Sequence, residues 1–254
     1  MLTIQNLHAH INETPILKGF DLHIPKGKIH VVMGPNGVGK STLGHVLMAH
    51  KSYGVTEGRI SVDGQDLTEL DTTERAKSGL FLAFQYPISI PGLKVSEYLR
   101  NLYELHHKTT VGVAEFRKIL KQKLELLGLP RETTKRYLND GFSGGEMKRL
   151  EMLQLAVIQP KVAILDEIDS GVDVDGQKII ADAISNLQKE FGTTFLLITH
   201  YHRILNLVNA DAIHVVLDGR IAHSGGMEIV ETLDAQGYQA LRNENRSSQT
   251  HLPV

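Results

Sequence analysis

Three short stretches carry residues whose types and spacing could do chemistry: GPNGVGKST at 34–42, FSGGE at 142–146 and VAILDE at 162–167. In the first, Gly34, Pro35, Asn36, Gly37, Val38 and Gly39 form a loop whose backbone amides can turn inward around phosphate oxygens. Lys40 can then reach the β- and γ-phosphates of a nucleoside triphosphate, the Ser41 hydroxyl can ligate Mg²⁺, and Thr42 leads into a helix that presents its positive end. The apolar IHVVM before the loop and the helical TLGHVLM after it supply the strand–loop–helix context this pattern needs. A ligand-free strand-to-helix turn would account for the glycines alone.

VAILDE ends an apolar run in two carboxylates, which puts Asp166 at the carboxyl end of a buried strand, where open α/β sheets bind ligands. Beside a phosphate loop, Asp166 is expected in the Mg²⁺ shell. Glu167, one residue further, is placed to accept a proton from, or orient, the water attacking the γ-phosphate. In FSGGE, Ser143 and Glu146 form a capping box that would start the helix MKRLEMLQLAVI whatever its function. Capping does not explain Gly144 and Gly145, each costing about 1 kcal/mol relative to Ala inside a helix. A phosphate approaching the bare amides of the first turn would explain them.

The elements that must position these residues are legible as strand-length apolar runs at 28–33, 80–84, 162–165, 195–199 and 213–217, with helical patterns between them. That alternation predicts an α/β fold built on a mostly parallel sheet covered by helices. Asp63-Gly64 and Asp218-Gly219 each sit between strand-like segments as two-residue hairpin turns, which predicts antiparallel additions at the sheet edge. Strand signals vanish between Gln85 and Leu138, where VSEYLRNLYELHH and VAEFRKILKQKLELLG carry apolar residues at helical spacing. The expected organisation is one domain with a nucleotide-binding core at 1–85 and 160–240, a helical subdomain at 86–159, and a polar tail at 241–254 whose last twelve residues, NENRSSQTHLPV, are expected to fray. The segment 173–191 reads as one amphipathic helix with Ile179, Ile180, Ala183, Ile184 and Leu187 toward the sheet.

Composition narrows the partners. The 254 residues carry a net charge of −2 with mixed signs throughout, which argues against a nucleic-acid-binding face. No apolar run reaches the roughly 20 residues that span a bilayer, so direct membrane insertion is not expected. The opening MLTIQNLHAH has neither a basic region nor an apolar run of signal-peptide type, which gives a cytoplasmic expectation. There is no cysteine, so this chain can form neither disulfides nor thiolate-held clusters. Among thirteen histidines, His8, His10, His106 and His107 lack a second ligand cluster at metal-binding spacing and read as ordinary surface or core residues.

Taken together, the phosphate loop, FSGGE and VAILDE resemble the ABC ATPase family, and other family marks fall in order along nearly the whole chain. FSGGE is similar to the signature motif, Gln85 to the Q-loop glutamine, IDSGVD at 168–173 to the D-loop, and His200 after TFLLIT to the switch histidine. The resemblance implies an ABC ATPase fold with ATP and Mg²⁺ as cofactors, catalysis by Glu167, His200 and Lys40, and a Mg²⁺ shell of Ser41, Gln85 and Asp166. It implies a transient ATP-dependent homodimer, in which Ser143, Gly144, Gly145 and Glu146 of one chain meet the ATP held by the other. One position departs: Ile11 stands where many members carry an aromatic residue that stacks on adenine. AFQYPISIPG at 83–92, FSGGEMKR, DEIDSGVDVD at 166–175 and THYHRIL at 199–205 resemble the family branch serving SUF iron–sulfur cluster assembly. That branch implies SufB–SufD-like scaffold partners docking at 85–98. The alternative is the nucleotide-binding subunit of an importer; a non-hydrolytic assembly module would need a broken catalytic set, and this one is intact.

Overall fold

The computed structural model describes residues 1–199 and 202–249. Strands β1 (Leu2–Ile11), β2 (Thr14–Ile24), β4 (Tyr53–Val62) and β5 (Gln65–Asp66) form an antiparallel sheet in the order β2-β1-β4-β5. A six-stranded sheet contains β3 (Ile29–Met33), β6 (Leu80–Ala83), β9 (Val162–Asp166), β10 (Thr194–Ile198), β11 (Ala212–Leu217) and β12 (Arg220–Gly225), ordered β12-β11-β3-β10-β9-β6. All its neighbours run parallel except β12, which returns antiparallel beside β11.

Both Asp-Gly turns form, with positive φ at Asp63 and Gly64 and at Asp218 and Gly219, the backbone a type I′ hairpin turn needs. The second lies at the edge of the six-stranded sheet, as expected. The first does not: its strands belong to the separate antiparallel sheet, because β4 pairs along its length with β1.

The central strands are buried on both faces and alternate between two apolar clusters. Val31, Leu165, Phe195 and Leu197 face a cluster shared with α3 (Val95–His107), α4 (Val113–Leu126), α5 (Gly144–Ile158) and α6 (Val174–Phe191). Val32, Ile164, Leu196 and Ile198 face the other, shared with the antiparallel sheet and α1 (Lys40–Leu47). The sheet is thus clamped between helices and a second sheet, and its strand ends are fixed from both sides.

Helices α3, α4 and α6 fall where the periodicity put them, with Ile180, Ala183, Ile184 and Leu187 buried and Ile179 packed against the same cluster. The 85–138 stretch is not free of strands, however. β7 (Ile90–Lys94) pairs antiparallel with β8 (Tyr137–Leu138), a partner over forty residues away that local pattern cannot reveal. A short helix α2 (Thr72–Lys77) and another, α7 (His202–Leu205), complete the connections. The final helix α8 runs from Glu228 to Gln249 with a break at Gly237, so 243–249 is helical where fraying was expected.

Candidate functional site

The carboxyl ends of β3, β9 and β6 lie side by side with β10 between β3 and β9, and the chemistry sits on the loops that leave them. From β3 the chain enters 34–39 and then α1. Gly39 is the N-cap of α1 at φ 106, and a Cβ there would lie 2.9 Å from Ile16 Cγ2. Gly34 is equally constrained, since a Cβ would come within 2.5 Å of the Val216 carbonyl oxygen. The loop therefore passes so close to β2 and β11 that only glycine fits at these two positions. The far end of α1 is pinned by Arg75, whose buried guanidinium donates to the carbonyls of Val46 and Leu47 at 2.8 and 3.1 Å.

Lys40 is buried, and its ammonium donates to the carbonyls of Gly34 and Pro35 at 2.7 and 2.9 Å. Burial pulls its pKa below the ordinary lysine value, opposed by the charges of Glu167 and Asp166. The side chain is thereby folded back over the loop whose amides would bind phosphate. Asn36, Gly37, Gly39, Lys40, Ser41 and Thr42 line a cavity of about 470 Å³ that is closed on its other side by Gln85 and Glu167. Val38 points away and packs in the core.

Asp166 ends β9 almost fully buried, and burial raises its carboxyl above the usual range, a shift opposed by the Ser41 hydroxyl hydrogen-bonded to it. Its Oδ1 is buried with no hydrogen-bond partner. An orphaned carboxylate oxygen beside a hydroxyl is the donor set a hard divalent cation takes, so the residues fit Mg²⁺. Glu167 follows in the left-handed region at φ 48, its amide donating to the Ile198 carbonyl at 2.8 Å. That conformation costs a non-glycine residue about 1–3 kcal/mol and turns the side chain off the strand axis toward the phosphate loop. The Gln85 side-chain amide donates to Glu167 Oε2 at 2.5 Å, which leaves the Gln85 amide oxygen as the atom that can face a cation.

A second group of charges ties this site to α5. Lys148 is buried and donates to the carbonyls of Phe84 and Gln85 at 3.0 and 2.7 Å, while Glu151 accepts from the Phe84 amide at 3.1 Å. Burial lowers the Lys148 pKa and pushes Glu151 up to about 7. Sequence reasoning missed both residues, because charges on a helix ordinarily mark its solvated face. Here almost every residue of α5 from Leu150 onward is buried.

At the start of α5, Ser143 and Glu146 form the expected capping box, with Ser143 N to Glu146 Oε2 at 2.9 Å and Glu146 N to Ser143 Oγ at 3.3 Å. The Ser143 amide, with Arg136 3.0 Å away, holds the Glu146 carboxyl below its usual range. Gly144 and Gly145 have ordinary helical φ, and a Cβ would find open space at Gly145 and only ordinary contact at Gly144. Nothing among the described residues requires glycine there.

The structure thus brings Lys40, Ser41, Gln85 and Glu167 to one cavity, with Asp166 buried next to it and hydrogen-bonded to Ser41, while 143–146 lie on a helix start outside the lining. His200 lies outside the described residues. Ile11 does not line the cavity; Ile16 does, with no sequence signal pointing to it, as do Tyr86 and Ser170, which belong to the 83–92 and 168–173 stretches. After Gln85, Tyr86 and Ile88 are 81% and 76% exposed and Ile90 is 43% exposed, whereas Leu93 packs against the core.

The family model described as ABC transporter matches residues 17–170. Vegetative protein 296 of Bacillus subtilis is 46% identical over 246 residues, covering 96% of this chain and 94% of that protein. A probable ABC transporter ATP-binding protein of Streptococcus pyogenes serotype M18 is 43% identical over 247 residues, covering 96% of each. Among solved structures, a dimeric post-hydrolysis state of the ATP-binding cassette MJ0796 bound to ADP and Pi matches with a TM-score of 0.77, covering 89% of this chain and 99% of that one. Its identity is 22%, so the likeness is one of fold.

Proposed function

This chain belongs to the ABC transporter family, and from that premise we propose that it is a SufC-type subunit, one that turns ATP hydrolysis into movement of a SufB–SufD-like scaffold during iron–sulfur cluster assembly. As a member of the family it is an ATPase with ATP as substrate and Mg²⁺ as partner ion. The single observation that carries the mechanical reading is the continuous link from α5 through Lys148 to the Phe84 and Gln85 carbonyls, and from the Gln85 side chain to Glu167. A change at the signature helix is felt at the glutamate and at the segment that follows Gln85.

In the proposed cycle Lys40 exchanges its two loop carbonyls for the β- and γ-phosphate oxygens, and the amides of 37–42 enclose them. Ser41, Asp166 and Gln85 would hold Mg²⁺, whose charge offsets that of the phosphates. Glu167 orients the attacking water and takes its proton, with His200 as a second contact to the γ-phosphate. The Ser143 hydroxyl and the amides of Gly144 and Gly145 close the site from a second copy, so nucleotide lies between two chains related by a two-fold axis. Glycine at 144 and 145 is then required by the approaching phosphate and not by packing.

The SUF assignment rests on the resemblance of 83–92, 142–149, 166–175 and 199–205 to that branch, and on the exposed Tyr86, Ile88 and Ile90, apolar anchors for a protein partner. The absence of cysteine accords with a cluster held by partner thiolates. The importer reading draws on the Streptococcus pyogenes relative, which is named a probable ABC transporter ATP-binding protein. Capture of the native complex and identification of its members separates the two: a soluble pair of scaffold proteins supports the proposal, and a multispanning permease replaces it with the importer reading.

A further inference from the structure

The segment that leads into α5 is organised around one side chain. Arg136 follows the 3₁₀ turn Arg131–Lys135, and its carbonyl accepts from the Val95 amide at 3.0 Å, so its backbone is anchored to the start of α3. From there the guanidinium reaches forward along the chain. It donates to the Gly141 carbonyl at 2.6 Å and to Glu146 Oε1 at 3.0 Å, and its central carbon lies 3.6 Å from the centre of the Phe142 ring. These contacts fix the residues immediately before 143–146 and the last residue within it.

Charge matters here as well as shape. Each Glu146 oxygen has a donor, Oε2 the Ser143 amide and Oε1 the guanidinium, and together they keep the group ionised at neutral pH. A carboxylate in the first turn completes the capping box, yet it sits at the helix end to which the proposed cycle brings phosphate oxygens, and like charges repel there. Glutamine can close the same box without the charge. A lone surface ion pair contributes little. Here the same guanidinium also holds Gly141 and Phe142, so its fork sets shape and charge together.

We infer that Arg136 is a positioning residue for hydrolysis at the other chain's nucleotide: it holds 141–146 in the shape that receives phosphate and offsets the Glu146 charge. The inference deepens the two-chain site proposed above and rests on it. None of the three contacts involves a residue lining the chain's own nucleotide cavity, so ATP binding by a single chain should not depend on Arg136.

The test measures, for whole chains, ATP affinity by titration calorimetry and steady-state phosphate release with MgATP. Arg136→Gln should bind ATP within about twofold of the natural chain and hydrolyse it at least about tenfold more slowly, with Arg136→Lys between the two because it keeps the charge and loses the fork. In the Glu146→Gln background the Arg136→Gln substitution should cost at least about threefold less, since the charge to be offset is gone. A mixture of Arg136→Gln and Lys40→Ala chains should hydrolyse faster than the sum of its parts, because it contains pairs with one intact site.

Full hydrolysis by Arg136→Gln, loss of its ATP binding, or an equal cost in the Glu146→Gln background overturns the inference. So does a mixture that recovers nothing under conditions where Ser143→Arg mixed with Lys40→Ala recovers. If the Ser143→Arg mixture also recovers nothing, the two-chain site itself fails, and the action of Arg136 on the other chain fails with it.

Discussion

Gly145→Ala should make the isolated chain more stable and the enzyme much slower, a combination that packing alone does not produce. A Cβ at this position meets no atom within 4 Å and the backbone φ is ordinary, so alanine fits without strain. Replacing glycine in a helix gains about 0.5–1 kcal/mol, a rise in Tm of roughly 1–4 °C for a chain of this size. If the Gly145 amide donates to the γ-phosphate of a second chain, the new methyl group holds that oxygen away. Loss of one hydrogen bond to a charged group, about 1.5–3 kcal/mol, lowers kcat by roughly one to two orders of magnitude. Thermal unfolding without nucleotide and steady-state phosphate release with MgATP measure both halves. Unchanged turnover would refute the claim that the signature glycines serve a ligand; a lower Tm would refute the claim that they are free of packing constraint.

Lys40→Ala should weaken nucleotide binding, measured by titration calorimetry, because Lys40 meets phosphate already in the ground state, while Glu167→Gln should keep binding and stall hydrolysis. Glu151 is pushed up to about 7 by burial, so its ionised form opposes folding and the stability it contributes is lost as pH rises through 7. Urea unfolding between pH 5 and 8 should therefore show the natural chain losing up to about 3 kcal/mol relative to Glu151→Gln, and parallel profiles would contradict it. Ile90→Asp should reduce scaffold capture while leaving nucleotide binding by the isolated chain intact; substitution at half-buried Leu93 would confound docking with folding.

The phosphate loop, the two Asp-Gly turns and the amphipathic helices were legible because each is specified by residues close in sequence. Gly39, Lys40 and Ser41 need only their own strand and helix, and Asp63-Gly64 needs only its own positive φ. What escaped depends on distant pairing. The 53–66 hairpin joins a separate sheet because β1 pairs with β4, and the β7–β8 pair unites segments over forty residues apart. The Lys148 and Glu151 cluster was hidden because its acceptors and donor lie on the Phe84–Gln85 backbone, invisible in any side-chain pattern. The cavity residues Ile16 and Tyr86 are set by how β2 and the 85–90 segment pass the loop, and Ile16 carries no chemical signature of its own.

In the proposed cycle two chains close over nucleotide, each lending 143–145 to the other's phosphate loop. Light scattering of the Glu167→Gln chain measures this most directly, because hydrolysis no longer dissolves the assembly. With MgATP the expected result is a shift from one chain to two, absent without nucleotide and abolished when Ser143→Arg is added. A Glu167→Gln chain that binds ATP yet stays single, or one that pairs equally well with Ser143→Arg, would contradict it.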